Sequence, residues 1–221
     1  MKPYYEHGGV VIFHGDSREV MPHVGADVLV TDPPYGIGYR SGWSDAMVAN
    51  DESSAARDAA IALWGGRPAL VFGRWSVKRP AGVRALLIWD KGDWPGMGDL
   101  EIPWGPSTEE IYVIGRGFTG KRTGQIIRDS KRRGGPSSGR FHPTEKPVGL
   151  METLISRCPP GVVIDPFMGS GSTIVAAKNL GRRSIGIELE ERYCEVAARR
   201  LDQEVLFGTP QTRVRDEMGE V

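Results

Sequence analysis

Cysteine is scarce in this chain, with two residues, Cys158 and Cys194, among 221. Neither forms a Cys-x-x-Cys pair or stands at metal-ligand spacing from a histidine. A disulfide framework and a zinc site are therefore excluded, no metal is expected, and a reducing cytoplasmic setting is implied. No apolar run approaches the ~20 residues that cross a bilayer. The opening MKPYYEHGG lacks the apolar stretch of a secretory signal, so no membrane association is expected. The chain has no G-x-x-x-x-G-K-[ST], and the glycines of DPFMGSGST are not spaced as G-x-G-x-x-G, so a nucleotide hydrolase and a dinucleotide-dependent oxidoreductase are both disfavoured.

Net charge is absent too, with 28 basic and 28 acidic residues, but the balance is uneven. Arg116 to Arg140 carries eight Lys/Arg and one Asp, a net of +7, which leaves −7 on the rest of the chain. A cationic segment on a neutral-to-acidic body suits a polyanionic partner, and a solvated surface loop is the competing reading. Lys121, Arg122, Arg128, Lys131, Arg132, Arg133 and Arg140 are the candidate phosphate contacts within it.

Short apolar runs alternate with helical patterns, which indicates a single α/β domain over residues 1–208. Strands are expected at Val10–His14, Ala26–Thr31, Ala69–Gly73, Ala85–Trp89, Glu110–Ile114, Val162–Ile164 and Ser184–Glu188. Helices are expected at Ser54–Trp64, Val148–Arg157, Ser172–Leu180 and Glu190–Gln203. The glycine-rich segment 116–141 reads as a mobile basic loop, Ile37–Asn50 as a lid, and 209–221 as a disordered tail. Continuous apolar strands such as ADVLVT and GVVID imply a mostly parallel sheet with helices on both faces. Ligands bind beyond the carboxyl ends of such strands, and three strands end in acids there: Asp32, Asp165 and Glu188.

Two stretches carry chemistry. In VVIDPFMGSGSTIVAAKNLG, a strand runs into a glycine turn and a helix, and Gly169 and Gly171 allow a ligand to approach the backbone. Glu188 ends the following strand, where a carboxylate accepts hydrogen bonds from both hydroxyls of a ribose; a helix-start acid is the competing reading. In TDPPYG, Pro33 and Pro34 fix the backbone and remove two donors, leaving carbonyls and the Asp32 carboxylate as acceptors beside the Tyr35 ring. That set suits an exocyclic amino group. Asp32 and the Pro33 carbonyl each accept one hydrogen, and Tyr35 stacks on an extruded base. A Pro-Pro turn capped by Asp is the competing reading.

These segments together resemble the DNA amino-methyltransferases. DPFMGSGST resembles the family's motif I, IGIELEERYCEVAARRL the segment after it, HPTEKP at His142–Pro147 its motif X, and DPPY its motif IV. HGDSREV at His14–Val20 resembles the segment that the permuted members place first, although Asp16 with Glu19 equally forms a capping box. Motif IV comes first and motifs X and I last, as in the circularly permuted β group, and the resemblance spans roughly Val10 to Leu201. The resemblance implies a Rossmann-like fold and S-adenosyl-L-methionine as cofactor. Its contacts would be Asp16, His142, Thr144, Lys146, Asp165, Phe167, Gly169, Ser170, Gly171, Ser172 and Glu188. It implies double-stranded DNA as partner, with a homodimer among the expected states. The expected location is the cytoplasm of a bacterium or phage-infected host, within restriction-modification. DPPY in this family accompanies adenine N6 more than cytosine N4, which stays open as the alternative. C5-cytosine chemistry is excluded, since the chain has no Pro-Cys dipeptide. A catalytically inactive DNA-binding module is the rival from another class, and the intact DPPY and motif I argue against it. The short basic segment implies a brief or relaxed target sequence.

Overall fold

The computed structural model describes residues 1–36, 53–92, 98, 100–128 and 145–207, with side chains as far as 202. The lid expected at Ile37–Asn50, the tail 209–221, and His142, Thr144, Lys131, Arg132, Arg133 and Arg140 lie outside the described residues.

Val28, Leu29, Val30 and Thr31 are all buried, so this strand has no solvent face, and successive side chains must enter two different cores. They do. Val28 and Val30 pack in one cluster with Leu150, Met151, Leu154, Ile155, Ala176 and Ala177. Leu29 packs in another with Val20, Met21, Ala60 and Trp64. A continuous apolar run thus becomes the central layer of a helix–sheet–helix sandwich.

The elements in chain order are β1 (Tyr5–His7), β2 (Val10–His14), α1 (Ser17–Val20), β3 (Val28–Thr31), α2 (Ala55–Trp64), β4 (Ala69–Gly73), β5 (Val83–Asp90), β6 (Thr108–Ile114), β7 (Ile126–Arg128), α3 (Val148–Ile155), β8 (Val163–Asp165), α4 (Ser172–Asn179), β9 (Ser184–Glu188) and α5 (Glu191–Phe207). The nine strands described form one sheet in the order β1-β2-β9-β8-β3-β4-β6-β5-β7. β2, β9, β8, β3 and β4 run parallel to one another, whereas β6 is antiparallel to both β4 and β5. α1 and α2 cover one face and α3 and α4 the other, with α5 packing through Cys194, Ala197 and Leu201 onto Val10 and Ile12.

Reversal of β6 matters for the site. Gly73 at the carboxyl end of β4 pairs with Glu110, and Asp90 at the end of β5 pairs with Thr108. The amino end of β6 and the carboxyl end of β5 therefore join the rim on which β3, β8 and β9 end. This rim gathers Asp32, Asp165, Glu188, Lys91 and Glu109.

Two strands depart from expectation. β7 lies inside the segment expected to be a loop and pairs in parallel with β5, Ile88 against Ile126 and Asp90 against Arg128. Ile127 turns into the core beneath it. β1 closes the other edge against β2. Each has three residues, too few for an alternating pattern to stand out from its surroundings. α1 is a single turn whose N-cap is Asp16, which accepts from the Arg18 backbone N–H at 2.8 Å.

Gly73 has ordinary backbone angles but no room for a side chain, since a Cβ would fall 2.2 Å from the Tyr112 ring. Tyr112 is fully buried and donates to Glu110 at 2.7 Å, so the ring cannot step aside freely. Gly73→Ala is expected to destabilise the fold by about 1–3 kcal/mol through overpacking. Urea titration should give a lower midpoint at unchanged slope.

Candidate active site

The first half of the site grows from β3. Directly after the buried Thr31, Asp32 turns onto the rim and Pro33 is buried behind it. Gly36 closes this turn with φ +74°, and a Cβ there would fall 2.4 Å from the Ser53 carbonyl carbon. A left-handed backbone pressed against its neighbour requires glycine at this position.

Both oxygens of Asp32 are engaged. Oδ1 accepts from the Tyr35 hydroxyl at 2.6 Å, and Oδ2 is paired with the Lys146 ammonium, whose side chain is 8% exposed. Lys146 also lies 3.1 Å from Oε2 of Glu109, and the Tyr35 hydroxyl is 3.4 Å from that same atom. Lys91 pairs with the other Glu109 oxygen. Asp32, Lys146, Glu109 and Lys91 thus form a row of alternating charges that cancel, with the Tyr35 hydroxyl within reach of both carboxylates.

Burial pushes the Asp32 carboxyl above its usual range against the pull of Lys146, and Glu109 pushes it the same way. Burial would raise Glu109 too, but Lys146 and Lys91 outweigh it and hold that carboxyl below its ordinary value. Burial works against the charged Lys146, yet Asp32 and Glu109 prevail and hold it charged above its usual value. The Tyr35 phenol is held well above its ordinary value by burial and by the two carboxylates.

The second half grows from β8 and β9. Asp165, 2% exposed, accepts at Oδ1 from the Thr31 hydroxyl at 2.6 Å and from the Phe167 N–H at 3.1 Å. Burial nevertheless pushes its carboxyl up to about 6, with Thr173 and Thr31 acting as lowering donors. Gly171 starts α4 with φ +89°, where a Cβ would crowd Ala197 at 3.0 Å. Above Gly169 the space is open, with nothing within 4 Å of where a Cβ would stand. Glu188 accepts from the Gly169 N–H at 2.9 Å on one oxygen and from the Glu190 N–H at 2.8 Å on the other. It therefore steadies both the glycine turn and the start of α5, and a carboxylate, with roughly four lone-pair sites, keeps acceptor capacity beyond those two bonds. Ser172 donates to Glu145 at 3.2 Å, and Arg200 of α5 binds Glu145 at 2.8 Å and the Ser170 carbonyl at 2.8 Å.

The structure brings most of the expected residues together. Asp32, Pro33, Pro34 and Tyr35 share one turn, and Asp165, Phe167, Gly169, Ser170, Gly171, Ser172 and Glu188 line the neighbouring one. Lys146, expected among the cofactor contacts, instead rests its ammonium on Asp32 and Glu109. Asp16 is paired with the Arg18 guanidinium. Lys121, Arg122 and Arg128 are exposed, and Arg128 reaches Asp90 at 3.2 Å. Sequence reasoning missed Glu109, Lys91, Glu145 and Arg200. The signal for Glu109 was a pair of acids opening the apolar strand TEEIYVI, where strand position, not motif, puts a carboxylate on the rim.

The N6_N4_Mtase family, described as DNA methylase, matches residues 71–199. The chain is similar to Type II methyltransferase M.ScaI of Streptomyces caespitosus, 26% identical over 92% of this chain and 84% of that protein. Its fold is similar to the solved structure of the M1.HpyAVI–SAM complex, with a TM-score of 0.58 at 24% identity, covering 86% of this chain and 99% of that one. It is also similar to PvuII DNA methyltransferase (cytosine-N4-specific), with a TM-score of 0.65 at 14% identity, covering 90% of this chain and 88% of that one.

Asp165 gives a stability test with a defined sign. Its carboxyl sits near 6 in the fold against an ordinary 3.8, so between those values the folded state holds a proton that the unfolded state has released. Asp165 therefore costs stability as pH rises from about 4 to about 6, and its contribution is flat above that window. Asp165→Asn removes this slope while keeping an acceptor for Thr31 and Phe167. Urea unfolding from pH 4 to 7 should show the variant gaining on the wild type through that interval. A constant difference across it would contradict the reading.

Proposed function

This chain belongs to the N6/N4 family of DNA methylases, and from that premise we propose that it transfers a methyl group from S-adenosyl-L-methionine to the exocyclic N6 of adenine in double-stranded DNA. The observation that carries the reading is the adjacency of two turns. The Asp32–Tyr35 turn and the glycine turn lie side by side on one rim, joined by the Thr31–Asp165 hydrogen bond. One turn offers acceptors to an amino group, and the other offers open space above Gly169 with a carboxylate at Glu188.

Donor sets and space on the second turn fit the cofactor. Asp165, Phe167, Gly169, Ser170, Gly171 and Ser172 would hold it, with the remaining acceptor capacity of Glu188 toward its ribose, and Asp16, His142 and Thr144 assisting as the family resemblance implies. When bound it supplies an electrophilic methyl group on a sulfonium. The chain's own work is at the base. Asp32 and the Pro33 carbonyl accept the two amino hydrogens, which draws the nitrogen lone pair out of the ring and aims it at the methyl group. Tyr35 offers its ring to a base flipped from the duplex, worth about 1–3 kcal/mol by comparison with other base–aromatic stacks. Transfer leaves the nitrogen with one proton too many, and the Asp32 carboxylate is the nearest acceptor.

Adenine is favoured because the turn reads DPPY. The N4 of cytosine is the alternative, an amino group of the same kind beside a ring nitrogen. Lys121, Arg122 and Arg128, with Lys131, Arg132, Arg133 and Arg140 of the same basic segment, would contact phosphates, giving affinity with little sequence information.

Two measurements check this. Wild-type protein given DNA and cofactor with a tritiated methyl group should place label in N6-methyladenine after nucleoside digestion, and Asp32→Ala should abolish that label while still binding cofactor by calorimetry. Near wild-type transfer by the variant would sink the assignment, and label in N4-methylcytosine would move it to the alternative. Separately, neutralising Lys121 and Arg122 together should reduce the slope of log affinity against log salt on duplex DNA by about 0.9 for each phosphate that a side chain no longer neutralises, whatever the sequence. An unchanged slope would turn that segment away from DNA.

A further inference from the structure

Asp32 has two jobs in the proposed reaction that its surroundings set against each other. It must offer a basic oxygen to an amino group, yet it is already held by the Tyr35 hydroxyl at 2.6 Å and by the Lys146 ammonium. A carboxylate whose charge is fully taken by an ammonium is a weak acceptor for a neutral amine. What relieves this is Glu109. Its Oε2 is 3.1 Å from the Lys146 ammonium and 3.4 Å from the Tyr35 hydroxyl, so each donor that holds Asp32 has a second acceptor within reach.

We propose that Glu109 is a positioning residue for methyl transfer: it shares Lys146 and the Tyr35 hydroxyl with Asp32, so that Asp32 keeps oxygen lone pairs for the amino group of the target base. Glu109 is brought to the rim by the reversal of β6 and is fixed there by Lys91. It touches neither base nor cofactor in this scheme and acts through Lys146 and Tyr35. As the amino group arrives, the ammonium and the hydroxyl lean toward Glu109. The two-carboxylate, two-ammonium set stays neutral until Asp32 takes the proton released by transfer, which matters where Lys146 is buried and an unbalanced charge is costly.

The inference rests on the proposed reaction, and the charges make it testable by sign. Lys146 faces Asp32 from the segment before α3, Glu109 from β6, Tyr35 from the same turn and Asp165 from β8. Glu109 in turn faces Lys146, Lys91 and Tyr35. Removing the Glu109 charge leaves Lys146 to Asp32 alone, so Asp32 holds its proton less tightly and accepts less well. Removing either ammonium does the reverse to its proton.

The experiment is single-turnover methylation of duplex DNA with tritiated cofactor from pH 5 to 9, on wild type, Glu109→Gln, Glu109→Asp, Lys146→Met and Lys91→Met. The acid limb of the rate should move down by at least about 0.5 pH unit in Glu109→Gln and up by a similar amount in both lysine variants, as nearby charges require. Glu109→Gln should slow transfer roughly tenfold or more with DNA and cofactor affinities little changed, in the range of positioning effects. Glu109→Asp should restore most of the rate. A merely structural Glu109 would lower the rate without moving the limb, and that result overturns the proposal, as does a shift of Glu109→Gln and Lys91→Met in the same direction. Should Glu109→Gln not fold, Lys91→Met, altered near the rim at a partly exposed side chain, decides the sign alone. A wild type that transfers nothing to DNA would instead overturn the proposed function.

Discussion

The hydrogen bond from Thr31 to Asp165 joins the two halves of this site. Thr31 is the last residue of β3 and Asp165 the last of β8, and the strands are neighbours, so one buried 2.6 Å contact sets the distance between the turn that follows each. One turn carries the acceptors for an amino group and the other the glycines. Group transfer between them depends on that spacing, and sub-ångström placement is worth orders of magnitude in rate. The bond is built from the most rigid material available, two central strands with helices on both faces, and no loop intervenes.

The electrostatics follow from the same placement. Parallel strands ending together bring Asp32, Asp165 and Glu188 to one edge, and a cluster of carboxylates would repel itself. Three different devices relieve it. Asp165 takes donors from Thr173, Thr31 and the Phe167 backbone, Glu188 takes backbone N–H groups from both sides, and Asp32 takes an ammonium shared with Glu109. Each device leaves its carboxylate in a different state of readiness, from a carboxyl near 6 at Asp165 to an ion-paired acceptor at Asp32.

The motif residues and the sheet were legible in the sequence for a common reason: both are local. TDPPYG and DPFMGSGST declare a turn through their prolines and glycines, and ADVLVT declares a doubly buried strand through its unbroken apolar run. What escaped was non-local. Glu109 reaches the site because β6 runs against its neighbours, and a strand's direction is not written in its residues. Arg200 reaches Glu145 because α5 folds back over the glycine turn, which helical spacing alone does not reveal. Lys146 sits within a segment read as cofactor-binding, and only the packing against Phe72 and Tyr35 directs its ammonium to Asp32. β7 hid in a basic, glycine-rich stretch because two isoleucines are too short a pattern to set against eight cations.

The strand order has a consequence for how the molecule is made. β2 is bonded to β1 on one side and to β9 on the other, with Val10 against Ser184 and His14 against Glu188. On the ribosome the hairpin of β1 and β2 is therefore made before β3 to β8, and its partner strand β9 after them, with β3 to β8 able to assemble in between. At ordinary synthesis rates the wait is roughly 10–30 s. Through that interval Val10 and Ile12, which end in the core under α5, have no sheet to join, and the nascent chain is at its most exposed to chaperones and proteases. Protein yield in the cell thus becomes sensitive to the speed with which β9 and α5 dock.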